Sequence, residues 1–256
     1  ANIRPSGKNY LMEDFFYAGG LRALMVELGD KLDLNVKTVT GQTLKECIKG
    51  SKNYNSDVIR TLKNPVYHEG SLAVLKGNLA PDGAVIKPAA MDPKFQKHNG
   101  PAIVADSYAE LKEIINDEDY PITADHILVL RNAGPKGGPG MPEWGMIPMP
   151  KALLKQGHRD MIRLSDARMS GTSYGACILH VAPEAFIGGP LALIRTGDII
   201  QVDIPNRKLD VDISKSEMKK RQEGWVAPKP RYERGYGYIY SKHIEQADKG
   251  CDFDFL

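Results

Sequence analysis

Cysteine is scarce in this sequence, and the few copies are poorly placed for the chemistry cysteine usually does. The three, Cys47, Cys177 and Cys251, lie far apart and form no C-x-x-C pair. Neither a disulfide framework nor a zinc site can be read from them, and buried or surface thiols are the plain reading. An excess of one charge is also lacking, since 34 Lys and Arg against 32 Asp and Glu leave a net charge of +2. That balance makes no electrostatic case for a nucleic-acid partner. The short basic run Lys219-Lys220-Arg221 lies beside Glu217 and Glu223 and reads as a solvated helix face. No apolar stretch approaches the ~20 residues needed to cross a bilayer. The opening Ala1-Asn2-Ile3-Arg4-Pro5 does not read as a signal peptide, so the expectation is a cytoplasmic protein with no membrane partner. Neither H-E-x-x-H nor G-x-x-x-x-G-K-[ST] occurs, and Asp210-x-Asp212 lacks the glycine and glutamate of a calcium loop.

What is present is an ordinary apolar complement, 42% of 256 residues, enough for one large domain or two unequal ones. Residues 1–65 read as helical. Leu21, Leu24, Met25 and Leu28 recur at three- and four-residue steps before a stop at Gly29. Thr43 and Glu46 match a capping box, and Gly50 can end that short helix. From 66 to 256 the character is β-rich. Apolar runs at 72–75, 84–86, 103–105, 127–130, 161–164, 178–181, 191–194, 199–204 and 209–213 are separated by turn signals such as Pro81-Asp82-Gly83 and Thr196-Gly197-Asp198. Ser107 with Glu110, and Ser214 with Glu217, cap helices between them. Many short strands with few crossover helices predict an α/β fold whose second part is a β-rich, barrel-like domain with peripheral helices, rather than a doubly wound sheet.

Two stretches could carry chemistry. The first, residues 132–143, follows a strand and holds glycines at 134, 137, 138 and 140. It fails as a dinucleotide loop, because Glu143 stands where glycine is needed and prolines forbid an immediate helix. By residues alone it reads as a rigid surface loop that holds Glu143, either a hard-metal ligand or a surface charge. The second, Ser165-Asp166-Ala167-Arg168-Met169-Ser170-Gly171-Thr172-Ser173-Tyr174-Gly175, contains the G-x-S-x-G of a nucleophile elbow. Asp198, Asp203 and His243 follow in the order a hydrolase requires, so a serine hydrolase using Ser173 or Ser170 is one reading. Against it, polar Asp166-Ala167-Arg168 separates the motif from its strand, and no H-G-G-G-type oxyanion loop occurs. Both serines could instead only bond neighbouring backbone, which would leave a non-catalytic, small-ligand-binding barrel. His180 reads as a hydrogen-bonded, partly buried strand residue.

Taken together these segments resemble the dihydroxy-acid and sugar-acid dehydratase family. The resemblance rests on Pro5-Ser6-Gly7-Lys8, Gly19-Gly20-Leu21, the long run from Glu69 to Gly83, residues 134–143, residues 165–172 and His180-Val181-Ala182-Pro183-Glu184. Ala167, Met169 and the ending Gly250-Cys251-Asp252-Phe253-Asp254-Phe255-Leu256 look like the pentonate, arabinonate-type members. The resemblance implies a hydro-lyase that converts an aldonate to its 2-keto-3-deoxy acid. It implies Mg2+ and an iron–sulfur cluster, 2Fe–2S rather than 4Fe–4S. Ser170 matches the base for the C2 proton, Thr172 a substrate-binding hydroxyl and Glu143 a magnesium ligand, while Ser173 acquires no role. None of the three cysteines falls on the family's cluster motifs. The chain is therefore expected to be the C-terminal part of such an enzyme: residues 1–65 as the helical tail of a truncated α/β N-terminal domain, residues 66–256 as the serine-bearing domain. Its expected partners are a sugar-acid substrate, the missing cluster-bearing half, and further copies in a dimer or tetramer.

Overall fold

A computed structural model describes residues 1–4, 7–171 and 174–256. The chain divides into two compact units, Ala1–Ser71 and Leu72–Leu256.

The first unit holds three short helices, α1 (Met12–Tyr17), α2 (Gly20–Leu28) and α3 (Leu44–Ile48). Gly19 precedes α2 at φ +113, where a Cβ would stand 2.4 Å from the Lys52 carbonyl oxygen, so only glycine fits. The capping box of α3 forms: Thr43 Oγ1 accepts from the Glu46 amide at 3.3 Å, and Glu46 Oε2 accepts from the Thr43 amide at 2.7 Å. Ala18, Ala23, Val58 and Ile59 make a small core. Helix covers less of this unit than the sequence suggested. The reason is local: Asn53 accepts from the Asn55 amide, and Asn55 from the Asp57 amide. Such short side-chain bonds compete with helical ones.

In the second unit eight strands form one sheet: β1 (Ala73–Leu75), β2 (Gly83–Ile86), β3 (Lys97–Ala105), β4 (Ile127–Leu130), β5 (Arg163–Ser165), β6 (Cys177–Ala182), β7 (Ile199–Asp203) and β8 (Lys208–Val211). Their order is β1-β2-β6-β5-β4-β3-β7-β8. Strands β3, β4, β5 and β6 run parallel, and the remaining pairs are antiparallel. A bridge between Lys76 and Lys208 brings the two ends of this order together, nearly closing a barrel. Gly77 permits that approach, since a Cβ there would lie 2.0 Å from the Leu209 carbonyl oxygen. Asn78 completes it: its side-chain amide donates to the Val211 carbonyl at 2.9 Å and accepts from the Val211 amide at 2.7 Å, imitating a strand residue.

Every residue of β4, Ile-Leu-Val-Leu, is buried, as a central parallel strand requires. Helices α4 (Tyr108–Asn116), α5 (Lys151–Lys155), α6 (Lys215–Glu223) and α7 (Gly235–His243) complete the unit. Ser107 and Ser214 cap α4 and α6 as expected, accepting from Glu110 and Glu217 amides. One expectation fails. Residues 191–194 are not a strand: 191–193 belong to a 3-10 turn, Pro190–Leu193, and Ile194 caps it. Pro190 has no N–H for a ladder, and the Arg131 guanidinium takes the carbonyls of Ala192 and Ile194 at 2.7 and 2.9 Å. Leu191 and Leu193 are buried without pairing.

Candidate functional site

The parallel strands end in register, with Ala105 opposite Leu130 and Leu130 opposite Ser165. The segments that leave them are thus brought side by side: 131–150 after β4, 166–176 after β5, and 183–189 after β6. The carboxyl ends of parallel strands are where ligands gather in such sheets. Glu143 lies in the first of these segments and Ser170 in the second. Thr172 and Ser173 lie outside the described residues.

The glycine-rich segment is not the surface loop its composition suggests. Residues 133–135, 137 and 138 are buried, and two fully buried carboxylates hold them. Asp166 accepts from the Ala133 amide at 3.0 Å and from the Ala185 amide at 2.9 Å. Glu184 accepts from the amides of Lys136 and Gly137, both at 2.9 Å, and from the Gln246 side chain at 2.7 Å. Gly134 is required here, because a Cβ would sit 2.7 Å from Glu184 Oε2. Burial, followed by the neighbouring charge of Glu184, pushes the Asp166 carboxyl up to about 7 against the pull of its N–H donors. Burial likewise raises Glu184. Neither acid was identified from sequence. The available signal was a charged residue within two positions of an apolar run, in Leu164-Ser165-Asp166 and Ala182-Pro183-Glu184.

The serine segment is anchored at both ends. At its start Ala167 donates to Ser165 Oγ at 2.9 Å and accepts from the His180 amide at 3.1 Å. Lys87 Nζ reaches the Gly171 carbonyl at 3.2 Å, and the Gly175 amide donates to Ala90 at 2.7 Å. At its end lies a buried ion pair, Arg163 Nη2 to Asp160 Oδ1 at 3.0 Å. Arg163 also donates to the carbonyls of Ile147 and Tyr174, while Asp160 accepts from Ala176, Met161 and Asp92 amides. A single charged pair therefore ties both loops to the barrel. Ser170 itself is half-buried.

Glu143, half-exposed, pairs with Arg168, whose Nη1 lies 3.0 Å from Oε1. Its other oxygen, Oε2, bonds no described residue. His180 sits in a β-bulge, where the register slips between Gly83–Ala182 and Val85–Leu179, and its φ is +54. Bulges of this kind re-aim a side chain. Burial, then the Arg168 charge, lowers the His180 pKa, which favours neutral imidazole.

Among the described residues no three His, Cys, Asp or Glu side chains gather as a metal site. As a lone carboxylate with an unbonded oxygen, Glu143 fits one ligand position of a hard cation. The cysteines do not fit an iron–sulfur cluster. The Cys47 thiol bonds Thr38 in the first unit, while Cys177 is buried in β6 with its pKa pushed up to about 11 by burial. Nor does the elbow context appear, because the serine segment runs from strand β5 into strand β6 rather than into a helix. Asp198 is engaged by Arg221, Asp203 by Asn206, and His243 by Asp254.

Comparison with known proteins adds a family. The C-terminal pattern of dihydroxy-acid/6-phosphogluconate dehydratases matches residues 57–251, and the N-terminal pattern of the same enzymes matches residues 1–47. The chain is 50% identical to a 6-deoxy-6-sulfo-D-gluconate dehydratase of Pseudomonas putida, a match covering 100% of this chain and 44% of that protein. It is 46% identical to an L-arabinonate dehydratase of Rhizobium leguminosarum, again over 100% of this chain and 44% of the relative. A dihydroxy-acid dehydratase of Acetivibrio thermocellus is 44% identical over 97% of this chain and 45% of its own length. The chain thus spans less than half the length of the curated relatives it matches.

Proposed function

This chain belongs to the dihydroxy-acid/6-phosphogluconate dehydratase family, and we propose that it supplies the base-bearing part of a hydro-lyase that turns a sugar acid, a pentonate, into its 2-keto-3-deoxy acid. The observation that carries the reading is the clamp between the loop of Glu143 and the loop of Ser170, made at Arg168. The reaction removes water across C2 and C3. Ser170, as the alkoxide, takes the C2 proton, the C–H electron pair becomes the C2=C3 bond, and the C3–O bond breaks. The hydroxide leaves as water after gaining a proton. The enol left behind takes a proton at C3 and gives up the proton of its C2 hydroxyl as the C2=O bond forms, which yields the keto acid.

A serine hydroxyl is a weak acid in water, so its alkoxide needs a local positive charge. Glu143 would hold Mg2+, which when bound would supply that charge and a contact for the substrate's carboxylate end. Thr172 is assigned to substrate binding. The cluster finds no ligand set among the described residues, so its ligands belong to the remainder of the enzyme and no step is derived through it. The working enzyme is proposed to join both parts, as a dimer or tetramer.

The test is Ser170→Ala in the complete enzyme. Exchange of the C2 proton in D2O should fall ~100- to 10,000-fold or more, with metal content unchanged. Exchange within about tenfold of wild type would remove Ser170 from the role. Among L-arabinonate, 6-deoxy-6-sulfogluconate and 2,3-dihydroxyisovalerate, kcat/KM should be highest for the pentonate and lowest for the branched acid. The relatives' names make the sulfo-sugar acid the main rival substrate.

A further inference from the structure

Arg168 belongs to the serine segment, two residues before Ser170, yet its bonds go to the glycine-rich segment. Its carbonyl accepts from the Gly145 amide at 2.8 Å. Its Nε donates to the Met141 carbonyl, and its Nη1 donates to Glu143 Oε1 at 3.0 Å. Met141, Glu143 and Gly145 are alternate residues, so one edge of that segment is held by a single residue. The local backbone is shaped for this. Met141 adopts φ +49, an uncommon value for a residue with a side chain. At Gly145 a Cβ would come 2.6 Å from the Arg168 carbonyl oxygen, so no other residue lets the two segments lie so close.

As a source of stability this ion pair counts for little, because both side chains are well exposed, at 39% and 51%. Its consequence is geometric. Two donors of one planar guanidinium fix a backbone carbonyl and a carboxylate oxygen together, which lysine cannot do. With Oε1 held, Oε2 is the oxygen left for a cation.

We infer that Arg168 is a positioning residue that sets the Glu143 carboxylate against Ser170, leaving Oε2 as the single ligating oxygen. The inference rests on the reading of Glu143 and Ser170 given above and adds the element that couples them. Groups that orient a metal ligand without touching the metal typically change its affinity 10- to 100-fold when removed. Magnesium tolerates little distortion of its octahedron, so lost aim outweighs the relief of removing a screened positive charge.

The experiment uses the complete enzyme, with Mn2+ as the probe and binding followed by loss of the free-ion EPR signal. Arg168→Met should weaken Mn2+ binding about 10- to 100-fold while near-UV circular dichroism stays unchanged. Arg168→Lys, which keeps the charge without the fork, should fall between that variant and wild type. Wild-type affinity in Arg168→Met, alongside weakened binding in Glu143→Gln, would overturn the role of Arg168 and leave the ligand assignment standing. Wild-type affinity in Glu143→Gln would instead overturn the assignment of the ligand, and the role of Arg168 with it. Should Arg168→Met fail to fold, Arg168→Lys decides, since wild-type binding there overturns the inference.

Discussion

Replacing Asp160 by asparagine should loosen the barrel far more than any surface charge change, and its contacts set the size. The Asp160 side chain is 9% exposed and that of Arg163 is 1% exposed. Oδ1 serves Arg163 Nη2 and the amides of Met161 and Ala176, while Oδ2 serves the Asp92 amide. An asparagine can present its one oxygen to the first group only. Its NH2 then faces the Asp92 N–H, and the guanidinium keeps nothing but neutral carbonyls. Breaking a buried pair from one side costs about 3–5 kcal/mol, because the partner charge stays buried. For a unit of this size each kcal/mol moves the melting midpoint by ~2–4 °C, so a fall of about 6–20 °C is expected. Trp144 and Trp225, the only tryptophans, both lie in the second unit, so their fluorescence during urea or thermal unfolding reports on the barrel alone. The control is Glu118→Gln, which removes the exposed partner of Lys155 and should leave the midpoint almost unmoved, because solvent screens such a pair. A loss below about 1 kcal/mol for Asp160→Asn would refute the reasoning, since the pair would then behave as a surface one.

Asp166 carries a pH prediction. Its folded pKa, about 7, lies above the ~3.9 of an unfolded aspartate, so folding takes up a proton between them. Its contribution is therefore fully present below the unfolded value and lost as pH rises through about 7, and the raised Glu184 acts in the same direction. Barrel stability should fall from pH 5 to 7, and Asp166→Asn should flatten that slope; a wild-type midpoint that rises across the window would contradict it. At the barrel seam, Gly77→Ala would press a Cβ against the Leu209 carbonyl, whereas at Gly171 a Cβ meets no described residue. The first should cost about 1–3 kcal/mol and the second much less, so equal urea midpoints would argue against a closed seam.

Much of the barrel was legible because burial in a sheet writes itself locally. Eight of the nine apolar runs fall on β1 to β8, and the serine caps at 107 and 214 each open a helix. The failure at 191–194 shows the limit. Its leucines are as apolar and as buried as any strand's, but its carbonyls are satisfied by Arg131, which lies about sixty residues earlier in the chain. No window on the sequence contains that partner. The site divided in the same way. Glu143 and Ser170 are expectations of the family resemblance. Asp166 and Glu184 stand in the same resembling segments, but that they and the pair Asp160–Arg163 are buried anchors only the fold reveals. For the buried pair the hint was Arg163 inside the apolar run Met161-Ile162-Arg163-Leu164: a charge in a strand demands a partner, and Asp160 stands three residues before it.

Burial also separates the acids that build this site from the acid that can serve it. Asp160, Asp166 and Glu184 are all buried, and each has both oxygens committed to backbone amides, side-chain donors or a guanidinium. A carboxylate so engaged cannot also hold a hard cation without abandoning the loops it fixes, and each released N–H would then be buried without a partner. Asp106, also near the strand ends, is held by Arg131 and lies at the start of the turn into α4. Of these five acids Glu143 and Asp106 each keep one oxygen unbonded among the described residues, and of the two only Glu143 lies in the glycine-rich loop that the buried acids fix. Rigidity and availability are thus supplied by different side chains. The buried acids lock the backbone of the two loops and Arg168 ties one exposed carboxylate to them, so in the proposed reading the chemistry falls to groups whose removal need not unfold the barrel.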